Sequence, residues 1–528
     1  MTFPAACCYF LAVPPSATST KANGQRTASK GRALRPPAPA STAPALVFGD
    51  LWPFDPAPET AEPGLQSRYD LFIDGEFRAP KSGKYFDTIN PATEEKLADV
   101  ALAGEADVDA AYQAAQTAFD TTWGKMPGQE RGKYLFRIAR LLQDRAREFA
   151  VAETLDGGKP IKESRDFDVP TAAAHFFYHA GWADKLPYAF PGPRRPHPLG
   201  VVGQVIPWNF PLLMLAWKLA PALACGNCAV LKPAETTPLT ALKFAELLRD
   251  AELPPGVVNI VCGAGETGAL VARHPLAAKV AFTGSTEVGK AIMRETAGAG
   301  KRLTLELGGK AANIVFDDAP MDQAVEGVIN GIYFNQGHVC CAGSRLLVQE
   351  SIAERFVEKL KTRLASLRVG DPLDKNTDVG AINSRGQLAR IREMVAVGEV
   401  EGAQLYQPPG CRLPSKGFWF APSIFTGVTP SHRIAQEEIF GPVLSVLTFR
   451  TLEEAVEKAN NTAYGLSAGV WTDKGSRILQ MAASLKAGVI WANTFNQFDP
   501  SSPFGGYKES GFGREGGRQG LGAYVKLS

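Results

Sequence analysis

The sequence predicts an α/β fold with two parallel-sheet domains and a small arm. Three observations lead there. At 528 residues the chain is too long for a single hydrophobic core. From Val201 onward, short apolar runs of strand character alternate with longer stretches of helical spacing, which is how repeated βα units read. Before them, Pro187 to Pro198, with Arg194 and Arg195, interrupts all periodicity and reads as a loop or arm.

Order is expected to begin near Tyr69, where an alternating run to Glu76 encloses an Asp74-Gly75 turn and predicts a strand pair. Helical spacing follows over Ala106 to Phe119 and over Glu130 to Leu155. The βα series then predicts strands at Val201–Ile206, Ala229–Lys232, Val257–Val261, Lys279–Thr283 and Leu303–Glu306. The intervening helices are Leu212–Ala224, Thr237–Ala251, Thr267–Ala272 and Glu287–Ala297. A second alternating series from Ala312 to Val489 supplies the other domain. The expected boundaries are 67–180 and 200–306 for the first domain and 307–508 for the second, with 181–199 and 509–528 forming the arm.

Residues 1–66 differ from the rest. They are rich in Pro, Ala and Ser, and their basic residues precede the first acid at Asp50. Such a segment buries little apolar surface and is expected to be disordered. Its basic, acid-poor composition fits either a plain extension or an organellar transit peptide, and fits a secretory signal badly.

Lys and Arg number 56 against 54 Asp and Glu, a formal charge of +2, so no nucleic-acid or anionic membrane partner is indicated. No apolar run reaches the roughly 18–20 residues of a membrane span. Eight irregularly placed cysteines do not form a disulfide framework. The expected location is cytoplasmic, or an organellar matrix if residues 1–66 direct transit.

Two segments carry chemistry. Cys340 lies in Phe334-Asn335-Gln336-Gly337-His338-Val339-Cys340-Cys341, and Glu306 lies in Leu305-Glu306-Leu307-Gly308-Gly309-Lys310. A thiol is the most nucleophilic common side chain, and a nearby carboxylate can serve as its general base. Taken alone, each segment also fits a bland reading, a buried apolar cysteine or a strand ending in a glycine turn.

Two glycine motifs compete for a dinucleotide. Gly263-Ala264-Gly265-Glu266-Thr267-Gly268 has the G-x-G-x-x-G form after a strand. Phe282-Thr283-Gly284-Ser285-Thr286-Glu287-Val288-Gly289 repeats the strand-to-helix arrangement one unit later, with Ser285 or Thr286 as helix cap. Lys232 and Glu235, in Lys-Pro-Ala-Glu, close another strand, where ribose hydroxyls can bind; a solvated surface pair is the alternative. A carboxylate there favours NAD over NADP. In Pro207-Trp208-Asn209-Phe210-Pro211, the Asn209 amide is either an oxyanion donor or a helix cap. His175 and His179 stand at helical spacing without a third ligand, and Cys225-Gly226-Asn227-Cys228 has no second pair, so no metal is assigned.

Together PWNFP, KPAE, FTGSTEVG, ELGGK, FNQGHVCC, EEIFGP and PFGGYKESGFGRE resemble the aldehyde dehydrogenase superfamily, in the family's order, from about Tyr69 to Lys526. The resemblance implies a Rossmann-like cofactor domain, a catalytic domain and an oligomerisation arm. It implies NAD(P)-dependent oxidation of a small-molecule aldehyde to the free acid, with NAD expected and NADP an alternative. By that likeness Cys340 is the nucleophile, Glu306 the general base, Asn209 the oxyanion donor and Lys218 its supporting lysine. The cofactor residues are Ile206, Pro207, Trp208, Lys232, Glu235, Gly265, Gly284, Ser285, Val288, Gly289, Leu307, Glu438 and Phe440, and the second glycine motif faces the phosphates. The mouth for the aldehyde comes from Asn493 to Ser502 and the neighbourhood of Met214, where Asn496, Gln497 and Asp499 hint at polarity. Two departures stand out: His338 replaces the pattern's glutamine, and the sequence stops at Ser528, shortly after the region of Tyr524. The expected assembly is a homodimer or homotetramer.

Overall fold

The structure, a computed structural model, describes residues 56–528. The expected extension therefore lies outside the described residues up to position 55, and its last part does not behave as expected. Pro58 bridges Asp374, the Glu59 N–H donates to the Leu373 carbonyl at 2.8 Å, and the Glu59 carboxylate is ion-paired with Arg147. Ala61 and Leu65 pack against the core. The order of 56–66 comes from contacts with segments remote in sequence, which local composition does not register.

The strand pair forms as expected. Leu71–Ile73 and Glu76–Arg78 are antiparallel around Asp74 (φ 57°) and Gly75 (φ 78°), both left-handed, the geometry of the tight turns that match strand twist. It attaches to an eight-stranded sheet ordered Gly511–Phe512, Arg302–Glu306, Ala277–Thr283, Val201–Val205, Cys228–Lys232, Val258–Ile260, Leu71–Ile73 and Glu76–Arg78. From Arg302–Glu306 to Val258–Ile260 the neighbours are parallel. The chain runs from Val201–Val205 outward to one side, then returns and runs outward on the other. That reversal is a topological switch point, and ligands bind there, beyond the carboxyl ends of the strands.

A second sheet of seven strands is ordered Gln404–Tyr406, Ser423–Thr426, Val443–Phe449, Arg345–Gln349, Ala312–Val315, Ser467–Trp471 and Val489–Ala492, parallel except at its first pair. The arm segment contributes Pro196–Pro198, which pairs antiparallel with Val525–Leu527. The strand Gly511–Phe512, also in the C-terminal segment, joins the first sheet instead.

Helix placement follows the apolar periodicity with two differences. The long stretch from Glu130 is two helices, Gly128–Asp144 and Ala146–Gly157, parted at Arg145 (φ −100°, ψ 18°). Arg145 ties this corner locally to Glu148 and, across the fold, to Asp250, a tertiary contact that the spacing does not reveal. Beyond Pro160, the five residues Ser164–Asp168 form a π-helical turn, whose extra residue per turn redirects the side chains that follow. The helix Pro211–Ala224 is buried along its whole length, which accounts for its apolar run. Among the described residues, no helix is long and apolar enough to cross a membrane.

Candidate active site

Four strand ends of the first sheet open on one cavity of about 660 Å³. Val205 leads into Pro207–Asn209, Lys232 into Glu235, Thr283 into Gly284–Ser285, and Glu306 is the last residue of its strand. Parallel pairing brings these ends level, with Val205 opposite Lys232 and Thr283 opposite Glu306. The second sheet's side contributes Cys340, Glu438 and Phe440. Every residue assigned from the sequence lines this cavity except Lys218 and Gly289. Gly289 instead lets its helix pack closely, since a Cβ there would strike the Leu307 side chain.

The two glycines of Glu306-Leu307-Gly308-Gly309 have distinct tasks. A Cβ on Gly308 would collide with the Glu438 carboxylate, and one on Gly309 with the Cys340 carbonyl. The segment is thus the floor on which the nucleophile's backbone and Glu438 rest. The Gly309 N–H donates to Glu438 Oε1 at 2.9 Å, and burial pushes that carboxyl up to about 7 against this bond and the nearby Lys310 charge.

Cys340 is a free thiol, partly open to the cavity, while Cys341 beside it is buried. The Cys341 thiol and then burial hold the Cys340 thiol well above the usual thiol range. Attack on a carbonyl therefore needs a proton acceptor. Glu306, on the same cavity, is 4% exposed and neither carboxylate oxygen has a hydrogen-bond partner. Burial, then the Glu515 carboxylate, raises its proton affinity well above the ordinary carboxylate range, while Lys218 opposes them. Lys218 does not touch the cavity. Its ammonium is paired with Glu515 at 2.5 Å, and both side chains are shut off from solvent. Glu515 lines the cavity and went unassigned in the sequence, although it closes the PFGGYKESGFGRE motif.

The Asn209 amide is no helix cap. Its Nδ2 donates to the His338 carbonyl at 2.7 Å, so one N–H is fixed on the loop of the nucleophile and the other remains available. His338 is buried between Trp208 and Phe440, with ring centroids 4.8 Å and 5.9 Å away. Burial, then the Lys159 charge, drives its imidazole down to about 3, so it is a neutral aromatic wall. Phe440 keeps a left-handed backbone (φ 57°) because the Gln387 amide holds its carbonyl at 2.8 Å.

A dinucleotide fits these residues. The helix Thr286–Thr296 begins at the cavity, capped by Ser285, whose hydroxyl accepts from the Val288 N–H at 3.3 Å; its positive end suits a pyrophosphate. Glu235 and Glu438, at separate stretches of the wall, are the acceptors a pair of riboses requires. Lys232 is buried and its ammonium lies 3.1 Å from Glu235. The first glycine motif reaches the same cavity through Gly265 and Gly268.

The expected polarity of the aldehyde mouth needs correction. Gln497 and Asp499 are exposed and do not line the cavity; Asn496 does, with its amide donated to the Asn330 carbonyl. The wall is aromatic instead. Phe167 stands 5.3 Å from Phe334 and 5.9 Å from Phe498, while Trp217 stands 5.3 Å from Phe504. Phe167 comes from the π-helical turn, and helical periodicity gave no signal for it. The Cys225-x-x-Cys228 pair consists of two buried free thiols.

Comparison with known proteins agrees with this geometry. The sequence model described as the aldehyde dehydrogenase family matches residues 77–528. Human retinal dehydrogenase 2 is 45% identical over 481 residues, covering 88% of this chain and 92% of that protein. Aldehyde dehydrogenase family 2 member B4, mitochondrial, of Arabidopsis thaliana is 45% identical over 482 residues, 89% of each chain. Among solved structures, the NAD+ complex of an aldehyde dehydrogenase from Bacillus cereus superimposes with a TM-score of 0.85 at 43% identity, covering 87% of this chain and 96% of that one. The chain belongs to the aldehyde dehydrogenase family and oxidises aldehydes to carboxylic acids with NAD(P).

Proposed function

We propose that Cys340 is the nucleophile and Glu306 the general base in oxidation of an apolar aldehyde to its free acid. The observation that carries this reading is the unbonded Glu306 carboxylate sharing one cavity with the Cys340 thiol and the Asn209 amide. Cys340 gives its proton to water and adds as the thiolate to the aldehyde carbon, and the oxyanion is held by Asn209 Nδ2 and the Cys340 N–H. A bound NAD, held by Glu235, Gly284, Ser285 and Glu438, would supply the hydride acceptor, so that oxidation at the carbon joined to the Cys340 sulfur leaves a thioester there. Glu306 then takes a proton from water, the hydroxide attacks the thioester, and the acid departs with the thiol restored.

The aromatic wall supports an apolar or aromatic substrate. It comprises Phe167, Phe210, Trp217, Phe334, Phe498 and Phe504. In kcat/KM comparisons, aliphatic and aromatic aldehydes of medium length should outrank amino-aldehydes. Preference for a quaternary-ammonium aldehyde, which such rings also attract, would reverse the assignment.

Within this reading, residues 67–180 and 200–306 bind the cofactor, with Ser285 and Gly284 at the pyrophosphate, and 307–508 supply the nucleophile. The ribbon of Pro196–Pro198 and Val525–Leu527 serves a homodimer or homotetramer. Light scattering on the purified chain tests the assembly. All six described cysteines are free thiols, which supports a reducing compartment, cytoplasmic or an organellar matrix.

The direct test is mass detection of an acyl adduct. It should form on Cys340 in the wild type and in Cys341→Ser, and vanish in Cys340→Ser. An adduct on Cys341 would refute the assignment.

A further inference from the structure

The loop leading to the nucleophile has a backbone that its residue types do not favour. Asn335 (φ 48°) and Gln336 (φ 53°) are both left-handed, and Gly337 (φ 76°) follows. For a non-glycine residue this region crowds Cβ against the following carbonyl oxygen, so surrounding contacts must impose it. Those contacts are present and come from separate parts of the chain. Glu163 Oε2 accepts the Asn335 N–H at 2.9 Å, and Gln336 Nε2 donates to the Ala381 carbonyl at 2.8 Å and to that of Gly158 at 3.2 Å. Gly337 has no room for a side chain, because a Cβ would strike the Gly441 carbonyl.

The Asn335 side chain closes a ring. Its Nδ2 donates to the Asn209 carbonyl at 2.8 Å, Asn209 Nδ2 donates to the His338 carbonyl at 2.7 Å, and the His338 N–H returns to the Asn335 carbonyl at 2.8 Å. Asn335 is 2% exposed and Asn209 5%, so water does not compete for these bonds. Residues 126 apart in sequence are thereby tied edge to edge.

We propose that Asn335 is a positioning residue that fixes the Asn209 amide relative to the Cys340 thiol, so that oxyanion donor and nucleophile keep one geometry. The inference rests on the catalytic reading above, in which Asn209 holds the oxyanion. One Asn209 N–H is spent on His338, and the same bond aims the other. Without the Asn335 amide, the Asn209 backbone loses its donor and the aim is lost.

Two reactions of the same thiol separate this role from a merely structural one. Aldehyde addition develops an oxyanion, whereas alkylation by iodoacetamide does not. Asn335→Gly tolerates the left-handed backbone, keeps the N–H for Glu163 and removes only the amide. Its single-turnover NADH burst should fall about 100-fold, the cost of a lost oxyanion donor. Alkylation of Cys340 should stay within about threefold of wild type, as for a substitution that spares the thiol's surroundings. An unchanged burst, or a burst and alkylation that fall together with the melting temperature, would overturn the proposal. If Asn335→Gly fails to fold, Asn335→Asp, equal in shape but lacking the donor, takes the same two measurements; failure of both to fold would mean that the ring serves folding and sink the proposal. A burst that survives in Cys340→Ser would instead refute the catalytic reading itself.

Discussion

Lys218 and Glu515 form an ion pair at 2.5 Å, sealed from water, and they act on Glu306 in opposite senses. Glu515 raises the proton affinity of Glu306, and Lys218 lowers it. Only the ionised Glu306 can take a proton from water, so turnover should fall as pH drops through its raised pKa. Glu515→Gln removes a negative neighbour and should shift the acidic limb of kcat to lower pH. Lys218→Met leaves Glu515 buried without its partner, which typically costs about 3–5 kcal/mol of stability. Thermal unfolding and a kcat profile against pH check both. An acidic limb that moves upward in Glu515→Gln would contradict the electrostatic account.

Glu306→Gln should stall the enzyme after hydride transfer. Hydrolysis needs the base, and loss of a general base slows its step by about 10²–10⁴-fold. A stopped-flow trace should show a full NADH burst followed by slow turnover. Disappearance of the burst would assign Glu306 to thiol activation instead.

Phe167 should set the width of the aldehyde mouth. It meets Phe334 and Phe498 across the wall, and it reaches them from the π-helical turn Ser164–Asp168. Asp168, on the same turn, is anchored by the Lys159 ammonium at 2.6 Å in a fully buried pair. Phe167→Ala should therefore open the mouth without moving the turn. The ratio of kcat/KM for a long aldehyde over a short one should rise by about 10-fold or more, the scale of one apolar pocket contact. An unchanged ratio would place the size limit elsewhere in the wall.

Cofactor choice should turn on Glu235. A 2′-phosphate would bring its charge against this carboxylate, and like charges in a partly desolvated site cost a few kcal/mol, about tenfold to a thousandfold in affinity. Lys232, already 3.1 Å from Glu235, moderates the penalty. NAD should win in kcat/KM with NADP a measurable second, and Glu235→Gln should narrow the gap by improving NADP. Equal efficiency in the wild type would show that this charge does not decide the preference.

Much of the molecule was legible from residue order alone. Strand ends at Lys232, Thr283 and Glu306 follow from apolar runs stopped by Gly and Pro, and the level alignment of parallel strands then brings their terminal residues to one edge. The family motifs named Cys340, Glu306 and Asn209. Such signals are local, because each depends on a few neighbours along the chain and a repeating backbone geometry.

Tertiary structure decided the rest. It ordered residues 56–66 through Leu373 and Arg147, paired Lys218 with Glu515 across 297 positions, and gave the aldehyde mouth its aromatic wall in place of the expected polarity. It also raised the proton affinity of Glu306 through burial and the Glu515 charge, and added burial to the effect of the neighbouring Cys341 thiol on Cys340. The sequence by itself determined which groups the chain carries and the elements that present them. Their proton affinities, spacing and exposure depend on distances between remote segments, and only the folded chain sets those.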